Sequence, residues 1–198
     1  MKKSALTAIL AAVFLIAGST AFADNDDWHN SDSYYKDLYA LRQLHTKFHQ
    51  AVSHAGINAT TKAKALDELL ALWADDGVIV SGGVTYTGKG TPNTASCDPG
   101  ALTLCDFYDN HAGGLVLGHD WVSLTPIFTE VVKVLDHEDG QIYFQCIYFD
   151  ANTDQLMSNV TFGLPGQPST GRVKKVHGQW RFSYAEGVSF PPPTLDVD

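Results

Sequence analysis

Eight histidines run through this chain, and three of them sit where their neighbours could put an imidazole to work. At 100° per residue, Tyr34, Leu38, Leu41, Phe48 and Val52 share one helical face, and His45 falls in the middle of that stripe. An imidazole there either fills the core with one satisfied hydrogen bond or lines a cavity and moves protons near neutral pH. His49 follows one turn later, so the two could ligate a metal from one face. No third ligand is evident, and neither a metal nor another cofactor is expected. His119 opens an alternating run that places His119, Trp121, Ser123 and Thr125 on one strand face. A neutral imidazole beside an apolar cavity can serve as general base or hydrogen-bond a carbonyl. The structural alternative is a half-exposed histidine bonded to backbone at a strand start. Asp120 should point the opposite way and is no obvious orienting partner for His119.

Other chemistry-bearing residues read more simply. Asp75 and Asp76 look like paired acids, but next to Gly77 they are expected to end a helix and begin a turn. Tyr86, Tyr108, Tyr143, Tyr148 and Trp121 could supply cavity walls or hydroxyl donors, although aromatics in strands are most often core. His111 and Asp109 could sit at a cavity mouth. Cys97 and Cys105 bracket a short turn-rich loop, and a disulfide between them is favoured over free thiols. Cys146 lies in an apolar strand pattern and reads as a small buried hydrophobe. No Ser-His-Asp order, phosphate loop or zinc motif appears.

The elements that must position these residues are legible from periodicity. A long helix is expected over 32–54 and a second over 60–74, capped by Asn58 or Thr60. Val78-Ile79-Val80 and Val84-Thr85-Tyr86 flank Ser81-Gly82-Gly83 as a hairpin. A short helix is expected over 104–111 inside an irregular stretch. Strands then follow: one long run over 115–134, bent at Pro126, and further strands over 141–150, 156–164, 170–176 and 179–185. Helices first and an antiparallel meander afterwards give an α+β domain with helices on one face of the sheet.

The ends read differently from the middle. Met1-Lys2-Lys3, an apolar run from Ala8 to Gly18 and the small-x-small Ala21-Phe22-Ala23 form the pattern of an export signal, expected over 1–23. The run is too short to span a bilayer comfortably, so no membrane association is expected after cleavage, and the location is read as periplasmic or secreted. The domain is expected over 24–190, with 191–198, containing Pro191-Pro192-Pro193, as an extended tail. The whole chain carries a net charge of −9; without 1–23, which hold Lys2 and Lys3 and no acid, 175 residues remain at −11. With acid spread along the chain and no basic run, nucleic acid is disfavoured as a partner.

Three stretches carry a resemblance. Ala71 to Gly90 (ALWADDGVIVSGGVTYTGKG), His119 to Ile127 (HDWVSLTPI) and Gly171 to Tyr184 (GRVKKVHGQWRFSY) resemble, in order and spacing, the nuclear transport factor 2-like superfamily. That superfamily includes SnoaL-like polyketide cyclases, ketosteroid isomerase and scytalone dehydratase. The resemblance implies a cone: a curved antiparallel sheet packed by two long N-terminal helices and a short third one, enclosing a pocket. In SnoaL-like proteins the histidine matching His119 borders that cavity. The isomerase's catalytic carboxylate would fall on Ser81 and its tyrosine on Phe48, so that chemistry does not carry over. The dehydratase's histidines and tyrosines find eligible matches in His45, His119, Tyr34 and Tyr86.

The favoured reading is an exported SnoaL-like domain that binds a small, largely apolar molecule, with Tyr34, Phe48, Trp73, Tyr86 and Trp121 as walls. The alternative is a cofactor-free dehydratase, isomerase or cyclase using His119 and His45 as the proton-handling pair. A further alternative is a homodimeric assembly domain built on an outer sheet face that holds Tyr143, Gln145, Ile147 and Phe149 or their alternates.

Overall fold

The computed structural model describes residues 26–91, 97–111, 117–125, 130–164, 166–187 and 189–190. The export signal read over 1–23, the bend at Pro126 and the tail over 191–198 lie outside the described residues. The chain divides into two compact units, one ending at Asp37 and the other starting at Leu38. The first contributes α1 (Asp26–His29) and the opening of α2 (Asp32–Val52). There the Tyr34 ring meets Trp28 and His29 edge-on, at centroid distances of 5.3 and 4.9 Å.

In the second unit, α2 continues to Val52 and buries Leu41, Leu44, His45, Phe48, Ala51 and Val52 along one stripe, as the periodicity requires. Helix α3 (Ala59–Ala71) is capped by Asn58, whose side chain accepts from the backbone N–H of Thr60 and Thr61, while the Thr61 hydroxyl accepts in return from the Asn58 N–H. It stops three residues short of the expected end. Trp73, Ala74, Asp75 and Asp76 instead open strand β1 (Trp73–Ser81). The two aspartates therefore do not end a helix. Pairing with the far end of the chain recruits them into a strand, beginning with the Phe182 N–H donating to the Leu72 carbonyl at 2.9 Å. Both side chains reach lysines, Asp75 to Lys89 at 3.0 Å and Asp76 to Lys174 at 2.7 Å. Gly77 is needed here for close approach: a Cβ would lie 2.7 Å from the Trp73 ring and 3.0 Å from Leu104.

The remaining elements are β2 (Val84–Thr87), α4 (Leu104–Asp106) running into a π-helical turn over Phe107–His111, β3 (Trp121–Leu124), β4 (Val131–Val134), β5 (Asp139–Asp150), β6 (Gln155–Phe162), β7 (Gly171–Val176), β8 (Gln179–Gly187) and β9 (Ser189–Phe190). Their order in the sheet is β2-β1-β8-β7-β5-β6-β9, and β3 and β4 both pair with β5. The fold is α+β, as expected from the sequence. Among the described residues the antiparallel sheet has one exception, the parallel pair β1–β8, which returns the last long strand beside the first.

Burial alternates strictly along β5. Ile142, Phe144, Cys146, Tyr148 and Asp150 face inward; Tyr143, Gln145, Ile147 and Phe149 face out. Inside, Phe144 stacks on Phe162 at 4.8 Å, and Phe48, Phe182 and Trp73 complete a ring cluster. Each such side chain contributes about 1.5–3 kcal/mol by leaving water. The Trp73 indole N–H donates to the buried Tyr108 hydroxyl at 2.9 Å, so the cluster buries no loose donor at that point. Cys97 and Cys105 form a disulfide across eight residues and pin the loop that enters α4. Cys146 is a buried free thiol, pushed up by burial and inert for that reason.

Candidate functional site

The inward face of α2 changes character along its length. Leu41, Leu44, Phe48, Ala51 and Val52 make it hydrocarbon, and His45 and His49 interrupt it with imidazoles that meet the inward residues of β3 and the segment before β4. The His45 ring packs against Phe144 at 4.2 Å on its apolar side. On its polar side, His45 Nδ1 lies 2.8 Å from Glu130 Oε1, and His45 Nε2 lies 3.1 Å from Thr125 Oγ1 and 2.9 Å from His49 Nε2. His49 Nε2 is 2.5 Å from Thr125 Oγ1, and His49 Nδ1 is 2.7 Å from Ser123 Oγ.

One proton arrangement gives every contact one donor, and the tautomers are assigned on that basis. The Ser123 hydroxyl donates to His49 Nδ1. His49 Nε2–H donates to Thr125 Oγ1 and leans toward His45 Nε2. The Thr125 hydroxyl donates to His45 Nε2, and His45 Nδ1–H donates to Glu130. The result is an ordered chain from Ser123 to Glu130 in which both imidazoles are neutral. Burial lowers the pKa of His45, an effect that Glu130 partly opposes by attraction and hydrogen bonding. His49 has no carboxylate partner in this chain; burial first, and then His45, bring it down to about 4. Behind Ser123, across the β3–β5 register, the buried Tyr148 hydroxyl hydrogen-bonds it.

His45, His49, Ser123 and Thr125 line a cleft of about 530 Å³ between α2 and β3. Its described lining also includes Thr46, Gln50, Ser53 and His54, and Leu124 is the single aliphatic side chain among them. His54 holds a left-handed backbone, φ 63°, just beyond the helix end. Its N–H donates to the Trp121 carbonyl, and its Nδ1 meets Asp120 Oδ1 at 2.5 Å. Together with the Ser123 N–H donating to Ser53 Oγ at 3.1 Å, this fastens the helix end along the β3 edge.

His119 belongs to another network. Its Nδ1 lies 2.8 Å from Asp150 Oδ2, and its ring packs on Trp121 at 5.0 Å. Among the described residues no hydrogen bond joins His119 to His45; the close partner of His45 is His49. Phe48 and Trp73 sit in the ring cluster, Tyr86 packs on Phe107 and His111, and Trp121 packs on His119 and Tyr148. None of these four is among the described lining of the cleft. Alternation had already put Ser123 and Thr125 on the face shared with His119. Glu130 lies inside the strand run expected over 115–134, but nothing local ties it to His45, 85 residues away. Among the described residues, no three His, Cys, Asp or Glu side chains are placed to hold a metal ion.

No protein-family model matches the chain, and no curated protein sequence does. Solved structures do. A nuclear transport factor 2-like protein with a cystatin-like fold from Novosphingobium aromaticivorans superposes with a TM-score of 0.53 at 14% identity, covering 89% of this chain and 94% of that one. A protein of unknown function from Mycobacterium tuberculosis superposes with a TM-score of 0.54 at 15% identity, covering 80% and 75%. A hexachlorocyclohexane dehydrochlorinase from Novosphingobium barchaimii gives 0.52 at 16% identity, covering 83% and 97%. The fold is the nuclear transport factor 2-like one that the sequence resemblance implied.

Proposed function

We propose that the cleft between α2 and β3 is the site of acid/base chemistry on a small, uncharged molecule, with His45 as the base. The observation that carries this reading is the ordered chain Ser123–His49–Thr125–His45–Glu130. A neutral imidazole whose Nδ1–H is anchored on a carboxylate presents Nε2 as an acceptor, bonded to the Thr125 hydroxyl until a guest takes its place, and the carboxylate stabilises the imidazolium that forms. The lining sets hydroxyls, an amide and imidazole nitrogens among the carbon surface of Leu124, the threonines and the imidazole rings, which suits a small uncharged guest with both polar and apolar surface. The dehydrochlorinase among the solved neighbours is by name an elimination catalyst; at 16% identity the likeness bears on fold, and the reaction class here rests on the site.

A general probe of proton abstraction tests this. A base removes the C3 proton of 5-nitrobenzisoxazole, the N–O bond breaks, and the phenolate product absorbs visible light. The chain is expected to accelerate this elimination with saturation, and H45Q is expected to lose about 10²–10³ of the rate. An unaltered rate in a folded H45Q would overturn the reading.

A further inference from the structure

Thr125 stands where a nucleophile would. Its Oγ1 is 3.1 Å from His45 Nε2, and His45 Nδ1 is 2.8 Å from Glu130 Oε1. Hydroxyl, imidazole and carboxylate in that order form the unit that activates a weak oxygen nucleophile. The cleft holds a second hydroxyl–imidazole contact, Ser123 to His49 at 2.7 Å, but it is incomplete. The other nitrogen of His49 faces His45 and Thr125 instead of a carboxylate, and with its pKa near 4 this imidazole is a weak base. Only Thr125 has the complete set behind it.

His49 supplies the remaining part. Ser123 holds it as the Nε2–H tautomer, with that N–H aimed at Thr125 Oγ1 from 2.5 Å. When Oγ1 bonds to a carbonyl carbon, the carbonyl oxygen comes within reach of the same N–H. A neutral, preoriented donor beside the developing oxyanion is what acyl transfer requires. We propose that this cleft also hydrolyses small uncharged carboxylic esters through an acyl-Thr125 intermediate. The lack of charged side chains in the described lining points to a neutral substrate, and a net charge of −9 on the chain disfavours an anionic one.

The step balances. Thr125 Oγ1 bonds to the carbonyl carbon, and its proton passes to His45 Nε2, leaving an imidazolium held by Glu130. The tetrahedral oxygen then re-forms the carbonyl, the ester C–O bond breaks, and His45 returns the proton to the departing alcohol. Water attacks the acyl group next, giving its proton to His45. Release of the carboxylic acid passes that proton back to Oγ1.

This inference rests on His45 being a base, and p-nitrophenyl acetate separates the two claims. The wild-type chain is expected to release a burst of about one p-nitrophenol per chain, the stoichiometry of an acyl-enzyme. Mass spectrometry should then find one acetyl group on Thr125. T125V should lose both signals, T125S should keep them, and E130Q should slow the burst; thermal unfolding of each variant confirms that it is folded. No burst, an equal burst from T125V, or an acetyl group on Ser123, a histidine or a lysine overturns the proposal. A wild-type chain that eliminates benzisoxazole but gives no burst refutes the nucleophile alone. One that does neither refutes the base as well.

Discussion

His45 and His119 are each paired with a carboxylate at 2.8 Å, yet the two pairs are inside out relative to each other. In the cleft the imidazole is 10% exposed and Glu130 is 28% exposed; at the start of β3, His119 is 34% exposed and Asp150 is 2% exposed. Desolvation therefore falls on opposite partners. In the cleft it keeps the imidazole neutral and leaves it able to accept a proton. At β3 the buried partner is the carboxylate. The His119 hydrogen bond, helped by the backbone N–H groups of Asn152 and Asp120, holds its pKa low against the cost of burial. Those donors belong to the start of β3 and to the turn after β5, so Asp150 fastens two elements together. One pair of residue types makes a reactive site in one place and a latch in the other.

The sharpest way to break this contrast is to exchange the lesions. H45Q should lower benzisoxazole elimination by about 10²–10³, the usual worth of a positioned base. H119Q should leave that rate within a factor of about two, as expected of a group outside the reacting centre. Equal losses in the two would mean that His119 is the working base and the contrast is wrong. The lowered pKa of His45 adds a direction: the rate should hold up below pH 6.5, the ordinary histidine value, and fall only as the folded imidazole charges.

Stability against pH should separate the regions next. His49 is near 4 when folded and 6.5 when unfolded, so between those values the unfolded chain binds a proton that the folded chain does not. Stability then falls as pH drops from about 6.5 to 4, by about 2–3 kcal/mol for a shift of this size. Asp150 has the opposite sign of proton linkage to a raised group: its folded pKa is depressed, so its contribution is present above 3.8 and lost only as pH falls below that. Urea unfolding at steps from pH 7 to 3 should show two windows, and H49Q should shrink the upper one to the part that His45 contributes while leaving the lower one in place. D150N should lower the melting temperature more than E130Q does, because an amide cannot accept from all four donors at once. A smaller loss in D150N than in E130Q would refute the latch.

Local pattern and long-range pairing divide what the sequence could reveal. The stripe through Leu41, His45 and Phe48 is set by helical periodicity, and it placed His45 correctly on the buried face. Alternation likewise put Ser123 and Thr125 together, and a short bracketed loop with turn residues was enough for the Cys97–Cys105 disulfide. Asp75 and Asp76 were misplaced because a parallel strand more than a hundred residues away decides their backbone, and no local signal records it. Phe48 and Trp73 show another limit. A pattern says that a ring faces inward, but not whether the space before it is filled, and here Phe144, Phe162 and Phe182 fill it. The partners Glu130 and Asp150 were out of reach for the same reason as β8. A carboxylate's meaning is fixed by which imidazole it meets, and those contacts span 85 and 31 residues.

The smallest effect tests the latch from its exposed side. H119Q removes one of four donors to Asp150 but leaves the two backbone N–H groups and the Thr153 hydroxyl in place, and water can reach the vacated position because His119 is one-third exposed. The expected loss is about 0.5–1 kcal/mol, the range of a partly exposed charge-assisted hydrogen bond. It should shrink only as pH falls below the ordinary aspartate value of 3.8, when Asp150 takes up a proton and the bond loses its ionic partner. In a double-mutant cycle with D150N the two losses should therefore be less than additive, because each removes the same bond. Strict additivity would mean that His119 stabilises the strand start through its packing on Trp121, with the carboxylate held by its other donors.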